Sequence, residues 1–295
     1  MQISAAMVKE LRERTGAGMM ECKQALVDEN GDIETAVGNL RKKGQAKADK
    51  KAGRIAAEGV IGLALAADAG SGALVEVNSE TDFAAKQDEF QEFANSVAQR
   101  ALDERPADLA ALLSVPLRQG ESETIGERVR DMVMRIGENI SVRRFRVLES
   151  AGGTVRAYVH GGRIGVLVDL AGGDESIGKD IAMHVAAIGP LAIGEGDIPS
   201  GVLEKEREIL LAQVADSGKP PEIQEKMIAG RMKKYLKEVT LLGQPFVKDP
   251  DQSVEKYLAG ARATVSAFSR FEVGEGIDKS TENFADEVMA QVQGN

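Results

Sequence analysis

The stretch Gly72-Ala-Leu-Val-Glu-Val77 recurs 93 residues later as Gly165-Val-Leu-Val-Asp-Leu170. Each is a short apolar run bounded by turn residues, the pattern of a β-strand. A similar helical segment follows each one, Phe93-Ala-Asn-Ser-Val-Ala98 in the first copy and Ile181-Ala-Met-His-Val-Ala186 in the second. The helices are 88 residues apart, so the first copy carries five extra residues between strand and helix, near Ser79-Glu-Thr-Asp-Phe-Ala-Ala-Lys86. Two copies describe a duplicated α+β subdomain, since a solenoid would need three or more units.

Ahead of this core the chain reads as a small helical domain. Ser4 can cap a helix with Met7, Val8 and Leu11 on its apolar face, ending at Thr15-Gly-Ala-Gly18. A second helix carries Met19, Cys22, Ala25 and Leu26 and stops at Asn30-Gly31, where glycine suits a left-handed cap. Asp32 caps a third, with Ile33, Ala36, Val37 and Leu40 inward and Gly44 as its expected stop. Three short helices make a compact bundle, marginally stable alone, whose apolar face commonly serves a partner.

Linker signals are Ala69-Gly-Ser-Gly72, Ser150-Ala-Gly-Gly153 and the glycine-rich stretch from Gly189 to Gly201. Between 202 and 215 the apolar residues Val202, Leu203, Ile209, Leu210 and Val214 fall near one helical face. Asp216-Ser-Gly-Lys-Pro-Pro221 then turns, and Ile223, Met227, Tyr235 and Val239 follow at multiples of four. That pattern fits an antiparallel helical arm, either packed on the body or projecting to meet another chain, which leaves a homodimer through the arm open. Phe284, Val288 and Val292 at spacing four describe a last amphipathic helix. The expected organisation is an N-terminal helical domain over 1–54, a core subdomain over 55–150, a second over 151–279 with a hairpin inserted at about 199–240, and a C-terminal helical module over 280–295.

Of 295 residues, 43% are hydrophobic and 28% charged, ordinary for a globular protein and unlike a disordered chain or a disulfide scaffold. Aromatics reach only 4%, with no Trp, so the core is aliphatic and a Phe among polar residues needs a reason. The net charge of −10 argues against a dedicated nucleic-acid binder and against adhesion to an anionic membrane. Charge is uneven: residues 1–54 hold 11 basic against 8 acidic groups, and seven Lys or Arg fall between Arg41 and Arg54, either a solvated linker helix or a contact for a nucleic acid or an acidic partner. A single cysteine, Cys22, forbids an internal disulfide and sits in a helical apolar pattern, as a buried thiol does. The opening residues lack a signal-peptide core and no run is long enough to span a membrane, so the expectation is a cytoplasmic protein.

The constellations of an enzyme are missing. No Gly-x-x-x-x-Gly-Lys-Ser/Thr or Gly-x-Gly-x-x-Gly stands between strand and helix, there is no cysteine pair for zinc, and no nucleophile elbow. Of the two histidines, His184 reads as a half-buried helix residue, while His160, before Gly161-Gly-Arg163, suits an exposed polar contact or a structural one equally. No catalytic residue, metal or cofactor is expected. The sharpest anomaly is Asn78-Ser-Glu-Thr-Asp-Phe83, where a strand ends in polar residues and then a Phe. Either Thr81 or Asp82 caps the next helix while Phe83 staples back on the core, or Phe83 is displayed to a partner; composition does not choose.

The segments Leu11-Arg-Glu-Arg-Thr-Gly-Ala-Gly-Met-Met-Glu-Cys-Lys-Gln-Ala-Leu26, Thr81-Asp-Phe83, Ile136-Gly-Glu-Asn-Ile140, His160-Gly-Gly-Arg-Ile-Gly165, Met183-His-Val-Ala186, Leu242-Gly-Gln-Pro-Phe-Val247 and Arg270-Phe-Glu-Val-Gly-Glu-Gly276 resemble bacterial elongation factor Ts, in order and over essentially the whole chain. The resemblance implies a ubiquitin-associated-like head, two related α+β subdomains, a coiled-coil insertion in the second and a C-terminal helical module. It implies nucleotide exchange on elongation factor Tu, with GDP driven out so that GTP can replace it. Thr81, Asp82, Phe83 and Ala84 would be the segment that disturbs the GTPase's Mg²⁺ site; the family usually has Val where Ala84 stands. It further implies that the head, with Lys23 a contact, and the C-terminal module touch the nucleotide domain. His160 would lie near the surface facing the partner's third domain, and Ile136 with Gly137 would match another contact region, although burial explains Ile136 equally. The competing reading is a non-catalytic adaptor whose ubiquitin-associated-like head binds some other protein; a hydrolase built on His160 lacks a nucleophile.

Overall fold

The computed structural model describes residues 3–215 and 218–278; the expected helix at 280–292 lies outside them. The head is three helices, α1 (Ala5–Thr15), α2 (Met19–Asp28) and α3 (Ile33–Lys51). The Ser4 hydroxyl accepts the Met7 N–H at 3.3 Å, and Gly16 ends α1 with φ of 64°. Asp32 accepts the Thr35 N–H at 3.0 Å. Val8, Leu11, Cys22, Leu26, Val37 and Leu40 are among the residues closing its core.

Two expectations for the head are corrected. Met19 is not part of the inner face: it is 60% exposed, beside Met20 at 76%. Gly44 does not stop the third helix, which runs on to Lys51. Its missing side chain serves a close crossing, for a Cβ there would lie 2.0 Å from Met134 Sδ on the helix against which α3 packs.

The first core unit follows as β1 (Glu58–Leu65), β2 (Ser71–Ser79), α4 (Asp82–Ala85), α5 (Asp88–Glu104), α6 (Leu109–Ser114), α7 (Ile125–Ile136) and β3 (Ser141–Glu149), with an antiparallel sheet ordered β1-β2-β3. The second holds β4 (Thr154–His160), β5 (Ile164–Ala171), α8 (Glu175–Ile188), the arm α9 (Ser200–Ala215) and α10 (Pro221–Val239), the small hairpin β6 (Pro245–Phe246) and β7 (Asp249–Ser253), α11 (Val254–Gly260) and β8 (Thr264–Glu272). Its main sheet is antiparallel in the order β4-β5-β8. The repeated segments are therefore the central strands of the two sheets.

Alternation along these strands builds the layers. Ala73, Val75 and Val77 of β2 face the core shared with α5, where Phe90, Phe93 and Val97 are buried. Val166, Val168 and Leu170 of β5 face α8 in the same way. The other faces meet: Leu74 and Leu167 share a cluster with Ile61, Leu148, Val155 and Val273 between the sheets. A strand covered on both faces reads as one apolar run, as both do.

Ala69 to Gly72 is not a linker: Ala69 and Gly70 close the hairpin turn from β1 into β2, and Ser71 and Gly72 already belong to β2. Ser150 to Gly153 is a true crossing between sheets, strapped rather than loose: Ser150 Oγ donates to Asp169 Oδ1 at 2.6 Å and Ala151 N–H to Asp169 Oδ2 at 3.0 Å. The arm forms as expected, α9 packing on α10, with Leu210 and Val214 buried and Ile209, Leu211 and Ile223 between 42% and 47% exposed. The basic stretch is the second half of α3 and the turn after it. Lys51 donates to the Gly137 carbonyl, and Arg54 pairs with Glu80 at 3.5 Å, so this end is tied to the core.

Gly165 tests the contact between the sheets, because a Cβ there would lie 2.4 Å from Ile61 Cγ2 and 3.0 Å from Leu74 Cδ2. Gly165→Ala should lower the unfolding free energy by about 1–3 kcal/mol, the usual cost of forcing an extra carbon into a packed interior. The measurement is the urea midpoint at unchanged slope, and a midpoint equal to that of the parent would show that the sheets part freely here.

Candidate functional site

The five extra residues of the first copy make room for α4, a helix of four residues between β2 and α5. In the second copy Gly172, Gly173 and Asp174 lead directly into α8. Thr81 caps α4 in extended conformation, its Oγ1 accepting the Ala84 N–H at 3.4 Å. The staple does not form: Phe83 is 78% exposed, while Ala84 (1%) and Ala85 (5%) are buried beneath the turn. An N-capping threonine and a displayed aromatic thus coexist, because capping needs only the hydroxyl of Thr81 and leaves the outward face of the turn open.

The polar residues around Phe83 are engaged. Asp82 Oδ2 accepts from Lys86 Nζ at 2.5 Å, and this bond, helped by the nearby Arg163 charge, holds the Asp82 carboxyl below its ordinary range. Thr81 donates its N–H to Glu138 Oε2 at 2.9 Å and its hydroxyl to Glu138 Oε1 at 2.6 Å. A cavity of about 680 Å³ opens beside the turn, bounded by Asp82 and Lys86, by Val60, Ile61 and Asn95, and by Gly161 to Arg163 of the β4–β5 turn. It connects the two subdomains on the Phe83 side.

The other candidates fall into three places. Gly137 ends α7 with φ of 86° and is exposed next to the Phe83 turn, whereas Ile136 is partly buried against the first core. His160 is exposed at the end of β4, with its Nδ1 3.0 Å from the Tyr158 hydroxyl, one residue before the turn that lines the cavity. Lys23 is exposed on α2, between the exposed Met19, Met20 and Val27. Sequence reading missed Glu138, although it stands inside Ile136-Gly-Glu-Asn-Ile140; nothing local distinguishes a carboxylate that grips a segment 57 positions away.

His184 is corrected from half-buried to fully buried. Its Nε2 lies 2.9 Å from Gln244 Oε1 and its Nδ1 accepts the Val247 N–H at 3.1 Å, so it ties α8 to the β6 hairpin. Cys22 is buried as expected, and burial pushes its thiol pKa up. Among the described residues no group of three or more His, Cys, Asp or Glu is placed to hold a metal ion, and no helix is long and apolar enough to cross a membrane.

A family model described as Elongation factor TS matches residues 80–275, from the residue before the Thr81 cap to the turn after β8. The elongation factor Ts of Alkalilimnicola ehrlichii is 57% identical over 295 residues, covering all of both chains, and that of Thioalkalivibrio sulfidiphilus is 58% identical over the same length. The elongation factor Ts of Coxiella burnetii is 52% identical over 293 residues, 99% of both chains. Two packed α+β units with a helical head, in a chain alike from end to end to these proteins, place it in the class of translation elongation factors. The chain belongs to the elongation factor Ts family.

His184 carries a pH dependence whose sign follows from its surroundings. Burial lowers its pKa below the ordinary 6.5, outweighing the Gln244 contact that favours the charged form. The unfolded chain therefore binds a proton before the folded one does, and the stability that neutral His184 lends is complete above about pH 6.5 and declines as pH falls below it. Denaturation midpoints between pH 7.5 and 5.5 should fall more steeply for the parent than for His184→Gln, whose side chain does not titrate; equal slopes would remove His184 from the account.

Proposed function

We propose that this protein is the guanine nucleotide exchange factor of elongation factor Tu: it binds the GDP complex, disturbs the Mg²⁺ and phosphate site, and releases GDP so that GTP can bind. The observation that carries the reading is Phe83, a large apolar side chain 78% exposed on a turn whose cap is gripped by the core. A GTPase itself holds Mg²⁺ between protein ligands and phosphates. A helper therefore needs no reactive side chain, only a surface that stabilises the conformation in which those contacts are broken.

Phe83 is the wedge. Entering a pocket of the GTPase, it gains about 1.5–3 kcal/mol from burial, available to shift the elements that carry the Mg²⁺ ligands. Asp82, fixed by Lys86, flanks the wedge with negative charge, and Thr81 sets its starting direction. Ala84 seats the turn from below, since its own surface is buried. The family resemblance supports further contacts through Lys23 on the head, through Gly137 with Ile136 behind it, and through His160 on the second subdomain. Two separate regions of the body then meet the partner, and the cavity between them receives part of it.

Exchange by this route is reciprocal. Whatever factor the protein removes from GDP affinity, GDP removes from the affinity of the protein, so incoming nucleotide displaces the helper in turn. Catalytic turnover of the helper follows without any chemical step.

The decisive measurement is release of a fluorescent GDP analogue from elongation factor Tu. Substoichiometric protein should accelerate it, and release at the intrinsic rate would instead favour an adaptor. Phe83→Ala should slow the stimulated release by about tenfold or more, the kinetic equivalent of the burial energy above, with its thermal denaturation unchanged. A variant as fast as the parent would exclude the wedge.

A further inference from the structure

We propose that Glu138 is the positioning residue for Phe83, holding the wedge in its display geometry from a separate part of the core. The inference deepens the exchange reading and rests on it. Its starting point is the size of α4. Four residues cannot maintain a helix, because nucleation is unfavourable and so few bonds follow it. The direction of Phe83 must therefore be set from outside the helix.

Thr81 is where that setting occurs. Its N–H and hydroxyl both donate to Glu138, at 2.9 and 2.6 Å, and its carbonyl accepts from Ser79 Oγ at 2.9 Å. Hydrogen bonds to an ionised carboxylate are the stronger kind, and here one carboxylate fixes both backbone and side chain of one residue. The grip is reciprocal: Glu80 Oε1 accepts the Asn139 N–H at 2.5 Å. Residues 80–81 and 138–139 form a clasp in which each segment lends a carboxylate to the other's backbone.

The far side of the clasp is itself held. Gly137 ends α7 in the left-handed region, and its carbonyl accepts from Lys51. Asn139 is 9% exposed, and its Nδ2 donates to the Arg54 carbonyl at 2.7 Å and lies 3.4 Å from that of Ala52. The support for Phe83 thus runs through Glu138 into both the core and the end of α3. Preorganisation of this kind reduces the ordering cost of binding, so its loss should appear as slower productive engagement even though Glu138 touches no nucleotide.

The test compares Glu138→Ala, Glu138→Gln, Phe83→Ala and the double variant Glu138→Ala with Phe83→Ala, in the full chain. Two quantities are read: amide hydrogen exchange of Thr81 in the protein alone, and the second-order rate of stimulated GDP release from elongation factor Tu. Glu138→Ala should speed Thr81 exchange about tenfold and slow release about fivefold to tenfold, the scale of one net intramolecular hydrogen bond. Glu138→Gln should stay within about twofold of the parent in both, since its amide can accept from the Thr81 N–H and donate to the Thr81 hydroxyl oxygen. The double variant should match Phe83→Ala alone, because a residue acting through Phe83 has nothing left to position. Unchanged Thr81 exchange in Glu138→Ala, unchanged release in that variant, or a further loss in the double variant would each overturn the proposal. Should Phe83→Ala by itself leave release untouched, the wedge reading falls, and Thr81 exchange alone then decides whether Glu138 fixes the turn.

Discussion

The structure depends on one reciprocal contact between its two sheets. Gly72 and Gly165 occupy equivalent positions on the central strands, and each leaves room for the leucine two residues further along the other strand. A Cβ on Gly72 would lie 2.9 Å from Leu167 Cδ2, and one on Gly165 3.0 Å from Leu74 Cδ2. Two residues beyond each leucine comes a buried carboxylate, Glu76 at 0% and Asp169 at 1% exposure. Each reaches across: Glu76 accepts the Gly274 N–H at 2.8 Å, two residues past β8, and Asp169 that of Ala151, two residues past β3. Gly-x-Leu-x-acid, written twice, is an approximate two-fold interface folded into one chain.

The two carboxylates solve the same problem with different reach. Asp169 is short and is satisfied by a hydroxyl and an amide of the crossing segment. Glu76 is longer and also takes Arg143 at 3.0 Å and Arg144 at 2.6 Å. Its burial works to raise the pKa, but the Gly274 amide and the two guanidinium groups outweigh that and hold the carboxyl below the usual range. A buried charge is costly unless fully paired, and stripping partners from it costs several kcal/mol. The junction of the subdomains is thus rigid by electrostatics as well as by packing, and Arg144 adds a guanidinium 4.3 Å over the Phe271 ring.

Against this symmetry, the legibility of the molecule in its sequence divides cleanly. Caps are local, so Ser4 and Asp32 could be read directly from spacing, and Thr81 as one of two candidates beside Asp82. The repeat was legible because central strands covered on both faces admit few residue types. Glycines misled wherever tertiary contact, not chain reversal, explained them: Gly44 lies inside a helix under Met134, and Gly72 lies in a strand under Leu167. Met19 fits a helical stripe, but three short helices need less apolar face than the sequence offers. Glu138 was invisible because its partner, Thr81, is close only after β2 and β3 have paired.

The aromatic residues show why display and stability can be separated in this fold. Phe90 and Phe93 are buried under the first sheet, and Phe246 stacks on Tyr257 with centroids 4.1 Å apart. Phe145, Phe268 and Phe271 are partly covered. Among the described residues Phe83 alone is an exposed phenylalanine. An exposed ring contributes almost no burial energy to folding, so the position is released from the packing constraints that fix the others. What remains to constrain it is direction. In the wedge role proposed for it, Phe83 must strike one place on a partner and needs a stiff mount, and a mount on rigid strands is more accurate than one on a loop. The symmetric interface supplies that stiffness, while the five-residue asymmetry of the first copy supplies the turn that displays Phe83.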